Sequence, residues 1–118
     1  MELGNVIAVD RLAALAQPHR LAVYRLLVVA GATGLLPGEI AAELGIPASS
    51  LSFHLSHLRR AGLVSAVRQG RFMRYGIDVT AMRDLVDFLT QQCSAGAAPV
   101  PSKRPGDAMR DLLARQRA

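Results

Sequence analysis

Proline and glycine cut this chain into short pieces, and that punctuation constrains its fold more than any other feature. Pro18, Gly31 with Gly34, Pro37, Gly45 with Pro47, Gly62 and Gly70 leave only brief runs between them. A proline is tolerated in the first turn of a helix, where its missing N–H costs nothing, and glycine commonly closes the other end. The pieces therefore read as short helices: one over residues 6–17, one opened by Pro18, one opened by Pro37, and one running from Pro47 to Ala61. In the second, Leu21, Ala22, Leu26 and Val29 recur at steps of three and four; in the third, Ile40, Ala41 and Leu44 form the inner face. Two helices joined by a tight glycine turn, here Leu44-Gly45-Ile46-Pro47, make a helix-turn-helix.

The fourth run has two faces. Leu51, Leu55 and Leu58 share one stripe, which Gly62 continues, while Ser49, Phe53, Ser56 and Arg60 fall opposite. Residues 63–69 and 72–77 then alternate as strands do, with Gln69-Gly70-Arg71 as the tip of a hairpin. The helical period returns over residues 79–92, where Met82, Leu85, Val86 and Leu89 share a face and Asp78 or Thr80 caps the start. Residues 1–93 are expected to form one domain. Residues 94–118 hold Pro99, Pro101 and Pro105 among Ala and Gly and read as a flexible tail, with a short amphipathic turn around Met109, Leu112 and Leu113. The hexapeptides AMRDLV and AMRDLL in these last two segments are too short to establish a repeat.

Charge is concentrated where the pattern is most specific. Between Leu44 and Ile77 stand five arginines (Arg59, Arg60, Arg68, Arg71 and Arg74) and no acid, and the rest of the chain balances, so the whole excess of +5 lies there. Such a patch is the footprint of a phosphate-binding surface, and beside a helix-turn-helix it points to DNA. With 118 residues, 51% hydrophobic and no Trp, the core must be small and aliphatic. The single cysteine, Cys93, excludes an internal disulfide framework and a cysteine-cluster zinc site within one chain. No apolar run reaches the roughly 20 residues of a membrane span, and residues 1–10 lack the basic start of a signal peptide. A cytoplasmic protein is expected. A phosphate-cradling glycine loop, a carboxylate cluster and a Cys–His pair are all missing, so the chain does not read as an enzyme.

The candidate DNA contacts follow from these faces. Ser49, Ser50, Ser52 and Phe53 are placed to meet base edges and thymine methyls, the serines also serving as helix caps. Ser56 and Arg60 extend the outward face. His54 lies to the side of the leucine stripe, bracing helix packing or a backbone phosphate; His57 is expected exposed, on phosphate or in solvent. His19 and Arg20 either approach the DNA backbone or form an internal ion pair. Alternation puts Arg68 and Arg74 at solvent-facing sites and Arg71 at the hairpin tip, within reach of a minor groove.

Over residues 12–92 the chain resembles the ArsR/SmtB-type winged helix-turn-helix repressors. Pro18-His19-Arg20-Leu21 with Val23 and Leu26-Leu27 is similar to the start of that family's second helix. Glu39-Ile40-Ala41, Leu44-Gly45-Ile46 and the run from Leu51 to Leu58 match its helix-turn-helix; Ala61-Gly62-Leu63-Val64, Gly70-Arg71 and Tyr75 match its wing. The resemblance implies a mainly α fold of about five helices with a two-stranded β-hairpin wing. It also implies a bacterial, nucleoid-associated homodimer, joined through its first and last helices. Such a dimer represses from a palindromic operator in double-stranded DNA until an inducer releases it. The familiar metal ligands are not here: paired cysteines would fall at Leu36 and Gly38, and the last helix offers Asp84 and Asp87 without histidine. Cys93 remains, as a metalloid ligand for As(III) across a dimer, a redox-modified thiol, or a small buried hydrophobe. The alternative function is a winged-helix module for protein or RNA that lacks specific operator binding.

Overall fold

The computed structural model describes residues 4–91. In chain order they form α1 (Asn5–Leu15), α2 (Pro18–Ala30), a single 3-10 turn (Gly31–Thr33), α3 (Pro37–Leu44), α4 (Ala48–Arg60), β1 (Val64–Gln69), β2 (Phe72–Ile77) and α5 (Val79–Thr90). This is the expected mainly α plan of five helices and a hairpin. Cys93 and residues 94–118, to which the sequence assigned sensing and a tail, lie outside the described residues.

Helix ends follow local chemistry. The first helix stops at Leu15, two residues short of expectation, because Gln17 turns outward to cap the next one: its side-chain oxygen accepts from the Arg20 N–H at 2.8 Å. Pro18 occupies the first position of α2 and Pro37 that of α3, as the sequence predicts. The Leu36 N–H donates to the Glu39 carboxylate at 2.8 Å, satisfying a donor at the start of α3. Asp78 caps α5, accepting from the Ala81 N–H at 2.9 Å; Thr80 lies within the helix.

The inner face of α2 is not the stripe the spacing suggested. Val23, Tyr24 and Leu27 are buried, whereas Leu21 is exposed and Val29 is 84% exposed. This helix is apolar nearly all round, so period alone cannot choose which side faces the core. The choice is made by what it packs against: Ile40 of α3, Leu51, Leu55 and Leu58 of α4, and Leu63 and Val64 at the entry to the hairpin complete one aliphatic cluster. On α5 a similar correction applies. Of the shared face of the last helix, Leu85 is buried with Ala81 within the chain, while Val86 and Leu89 remain exposed.

The strands pair antiparallel from Val64↔Ile77 to Gln69↔Phe72, leaving Gly70-Arg71 as a two-residue tip. A further pairing joins this hairpin to the helices. Leu35 and Tyr75 exchange backbone hydrogen bonds at 2.9 and 2.8 Å, so the segment before α3 lies alongside β2. Gly34 makes that approach possible: it has φ of 66°, and a Cβ there would fall 2.5 Å from the Tyr75 carbonyl oxygen.

Candidate nucleic-acid interface

The turn between α3 and α4 sets the aim of α4. Gly45 adopts a left-handed conformation (φ 64°, ψ 32°) and its N–H returns to the Ala41 carbonyl. Ile46 then points inward and is buried, and Pro47, in extended backbone, starts α4. The left-handed residue costs glycine little and an L side chain more. Leu51, Leu55 and Leu58 sink into the core, each holding α4 by contacts of about 2–5 kcal/mol on the scale of leucine-to-alanine losses. With one face fixed, the other is presented: Ser49, Ser50, Ser52, Phe53, Ser56 and Arg60 are all exposed.

Phe53 is 60% exposed. It stands edge-on to His54 and His57, with ring centroids 5.8 and 6.3 Å away. A large aromatic surface left in water beside exposed serines suits a groove containing thymine methyls. The serines do not cap the helix: Pro47 is the capping residue, and among the described residues no side chain bonds the first turn. The N-terminal amides of α4 are thereby available to an anion.

Of the two α4 histidines, His54 takes the packing role, the first of the two expected for it, and only His57 moves off the expected surface. His54 is only 8% exposed and is packed with the leucine stripe, its ring 5.5 Å from that of His19. It braces α4 against α2, and its Nδ1 finds no hydrogen-bond partner among the described residues. His57 is half-buried rather than exposed, with Nδ1 enclosed as well. Burial pushes both imidazoles below their usual range, and neighbouring basic groups push the same way: His19, Arg20 and His57 act on His54, and Arg20 and Arg60 on His57. Among the described residues Arg20 forms no ion pair; it donates to the Ala14 and Ala13 carbonyls at 2.7 and 3.3 Å, closing the end of α1.

The wing arginines divide. Register places Arg68 opposite Met73 and Arg74 opposite Val67, so Arg68 and Arg74 lie on opposite faces of the ribbon and cannot both be presented the same way. Arg68 and Arg71 are exposed, and Arg68 makes one long bond within the hairpin tip, to the Gly70 carbonyl at 3.4 Å. Arg74 is half-buried and committed: it donates to Gln69 Oε1 at 3.0 Å and to the Thr33 and Gly34 carbonyls at 3.2 Å each. It fastens the wing to the turn after α2. A count of charge along the sequence cannot separate a free guanidinium from one spent on backbone carbonyls. Arg11, unremarkable in the sequence, makes two more such bonds to carbonyls far along the chain.

Helix α4 and the hairpin tip thus carry exposed Arg59, Arg60, Arg68 and Arg71 and no acidic residue of their own. Among the described residues no helix is long and apolar enough to cross a membrane. No three His, Cys, Asp or Glu side chains there assemble into a metal set.

Known proteins are similar to this chain in sequence and fold. A helix-turn-helix domain model matches residues 15–66. The chain is 32% identical over 89 residues to the transcriptional activator HlyU of Vibrio cholerae, spanning 75% of this chain and 80% of that relative. The solved HlyU structure superposes with a TM-score of 0.62 at 31% identity, covering 77% of this chain and 96% of that one. Over 64 residues the chain is 45% identical to the HTH-type transcriptional regulator CmtR of Mycobacterium tuberculosis, covering 54% of this chain. That match spans about half of CmtR, 52%. A homodimeric winged helix-turn-helix DNA-binding domain from Mycobacterium bovis shares the fold, with a TM-score of 0.58 at 24% identity over 82% of this chain and 88% of that one.

Proposed function

Because the chain belongs to the ArsR/SmtB-type family of winged helix-turn-helix transcriptional regulators, we propose that it is a homodimeric repressor that reads a palindromic operator in double-stranded DNA. The observation that carries this reading is the outward face of α4, where Ser49, Ser52, Phe53, Ser56 and Arg60 stand exposed above a buried leucine stripe. Serine hydroxyls and the Phe53 ring meet base edges and methyls in the major groove. Arg68 and Arg71 meet phosphates, Arg71 reaching towards a minor groove. Arg74 serves by holding the wing in place, and His54 by holding α4.

Two copies are required for a symmetric site. Exposed Val6, Ile7, Val9 and Leu12 on α1, with Val79, Val86 and Leu89 on α5, supply the apolar area such a dimer covers. Half-sites then fall about one helical turn apart, ~34–36 Å. Release is assigned to Cys93, the sole thiol, acting through a metalloid such as As(III) or through oxidation. The reading places the protein in the bacterial cytoplasm, at the nucleoid.

A gel shift with the chain's own promoter, repeated at rising salt, tests the core of this proposal. Specific binding should survive competitor DNA and retain a salt slope; binding indifferent to sequence would support the interaction-module alternative instead. A promoter reporter decides the sign of regulation. Output that falls when the gene is deleted would make the protein an activator, the role named for the Vibrio relative. Cys93→Ser should abolish release by arsenite or peroxide and leave basal affinity intact. A wild type that ignores both agents would overturn the sensing role.

A further inference from the structure

We propose that Arg11 is the positioning residue that fixes the recognition helix α4 against the dimerisation helices, and thereby sets the half-site spacing a dimer accepts. The spacing part rests on the operator-binding reading above. Arg11 projects from α1. Its Nε donates to the Ala61 carbonyl at 3.2 Å and its Nη1 to the Ala81 carbonyl at 3.0 Å. Ala61 caps the C-terminus of α4, and Ala81 lies in the first turn of α5. One side chain therefore joins three helices whose partners are 50 and 70 residues away in sequence.

The chemistry suits a strut. A guanidinium stays charged and presents its donors in a rigid planar fork, so two bonds fix direction as well as distance. The Ala61 carbonyl, at the C-terminus of α4, lacks an intrahelical partner and favours a cation, whereas the Ala81 carbonyl, in the first turn of α5, is held by the geometry of the fork alone. Gly62, the next residue after Ala61, runs past the same group: a Cβ there would lie 3.4 Å from Nη2. Arg11 is half-buried, which shields these bonds from competition with water. Helices α1 and α5 carry the exposed apolar faces that a second copy would cover, and α4 carries the proposed reading face. The Arg11 fork is thus a polar link from the first pair to the second. Two recognition helices discriminate half-site spacing only when each is held rigidly to the dimer.

The test uses the full chain with Arg11→Met, which removes the donors, and Arg11→Lys, which keeps the charge but loses the fork. Spin labels at Arg59→Cys on α4 and Asp87→Cys on α5, with Cys93→Ser and dilution by unlabelled chain, report the distance within one chain. A single narrow distance is expected for the parent and a broadened one for both variants. In parallel, duplexes are compared with half-sites at the preferred spacing and one base pair longer or shorter. The parent should lose about tenfold in affinity off its preferred spacing and the variants less than about threefold, with sedimentation still showing dimer. Unchanged label distances would overturn the strut, and so would a Lys variant that matches the parent in both readouts. If the Met variant fails to fold, Lys carries the test alone, because it leaves a cation at the end of α4. A parent that binds no duplex specifically would overturn the regulatory reading only, and the label distances would still decide the role of Arg11.

Discussion

His54 shows how one side chain can belong to the reading helix without belonging to its surface. Its burial, reinforced by His19, Arg20 and His57, lowers its pKa, so the folded chain binds protons less readily than the unfolded chain. The stability that this contributes is present above the ordinary imidazole value of about 6.5 and is lost as pH falls through the lower folded value. His57 acts in the same direction. The urea midpoint should therefore drop between pH 7.5 and pH 5, and His54→Gln should shallow that drop whatever it does to stability at neutral pH. An unchanged pH slope in the variant would remove His54 from the account. Gly34 offers a second test. Gly34→Ala should cost on the order of 1–3 kcal/mol from backbone strain with the Tyr75 clash added. Gly31→Ala, at a similar φ with nothing within 4 Å, should cost less. Equal losses in a denaturation series would show that the close approach to β2 does not matter.

Between α4 and the wing the predicted effects differ in kind. Ser52→Ala with Phe53→Ala should relax sequence preference, each base interaction being worth about 1–3 kcal/mol. Arg68→Ala with Arg71→Ala should weaken all duplexes similarly and reduce the salt slope by about one for each phosphate that is no longer neutralised. A selection among operator variants and a salt titration separate the two; reversed outcomes would exchange the roles. Arg74→Ala should instead lower the melting temperature, because it removes two bonds that fasten the hairpin to the turn after α2 and one within the hairpin. A variant of wild-type stability with a reduced salt slope would return Arg74 to the phosphate-binding set.

At the scale of the whole molecule the prediction is assembly. The apolar residues left exposed on α1 and α5 include Val6, Ile7, Val9, Leu12, Val86 and Leu89, more than a small monomer comfortably shows to water in one region. Sedimentation at micromolar concentration should give a dimer, and Val86→Asp with Leu89→Asp should shift it to monomer without unfolding it. A wild-type monomer would remove the basis for a symmetric operator. Leu85, by contrast, should behave as a core residue, with Leu85→Ala destabilising the chain by about 2–5 kcal/mol.

What the sequence determined by itself was local. Pro18, Pro37 and Pro47 opened helices, Gly45 made the tight turn, and Gly70-Arg71 closed the hairpin, because each depends on chemistry within a few residues, while the choice of Asp78 over Thr80 as the cap of α5 came only with the structure. The leucine stripe of α4 was equally legible, since its opposite face is polar enough to break the symmetry. Tertiary structure decided the rest. Nothing within α2 distinguishes Val23 and Leu27 from Leu21 and Val29; only the neighbours that cover one side do. Nothing near Arg74 or Arg11 announces carbonyls some 40 to 70 positions away, nor the bridge between Leu35 and Tyr75. Periodicity reports which residues share a face, and charge reports what a side chain offers. Which face is covered, and which charge is already spent, depends on segments that meet only when the chain has folded.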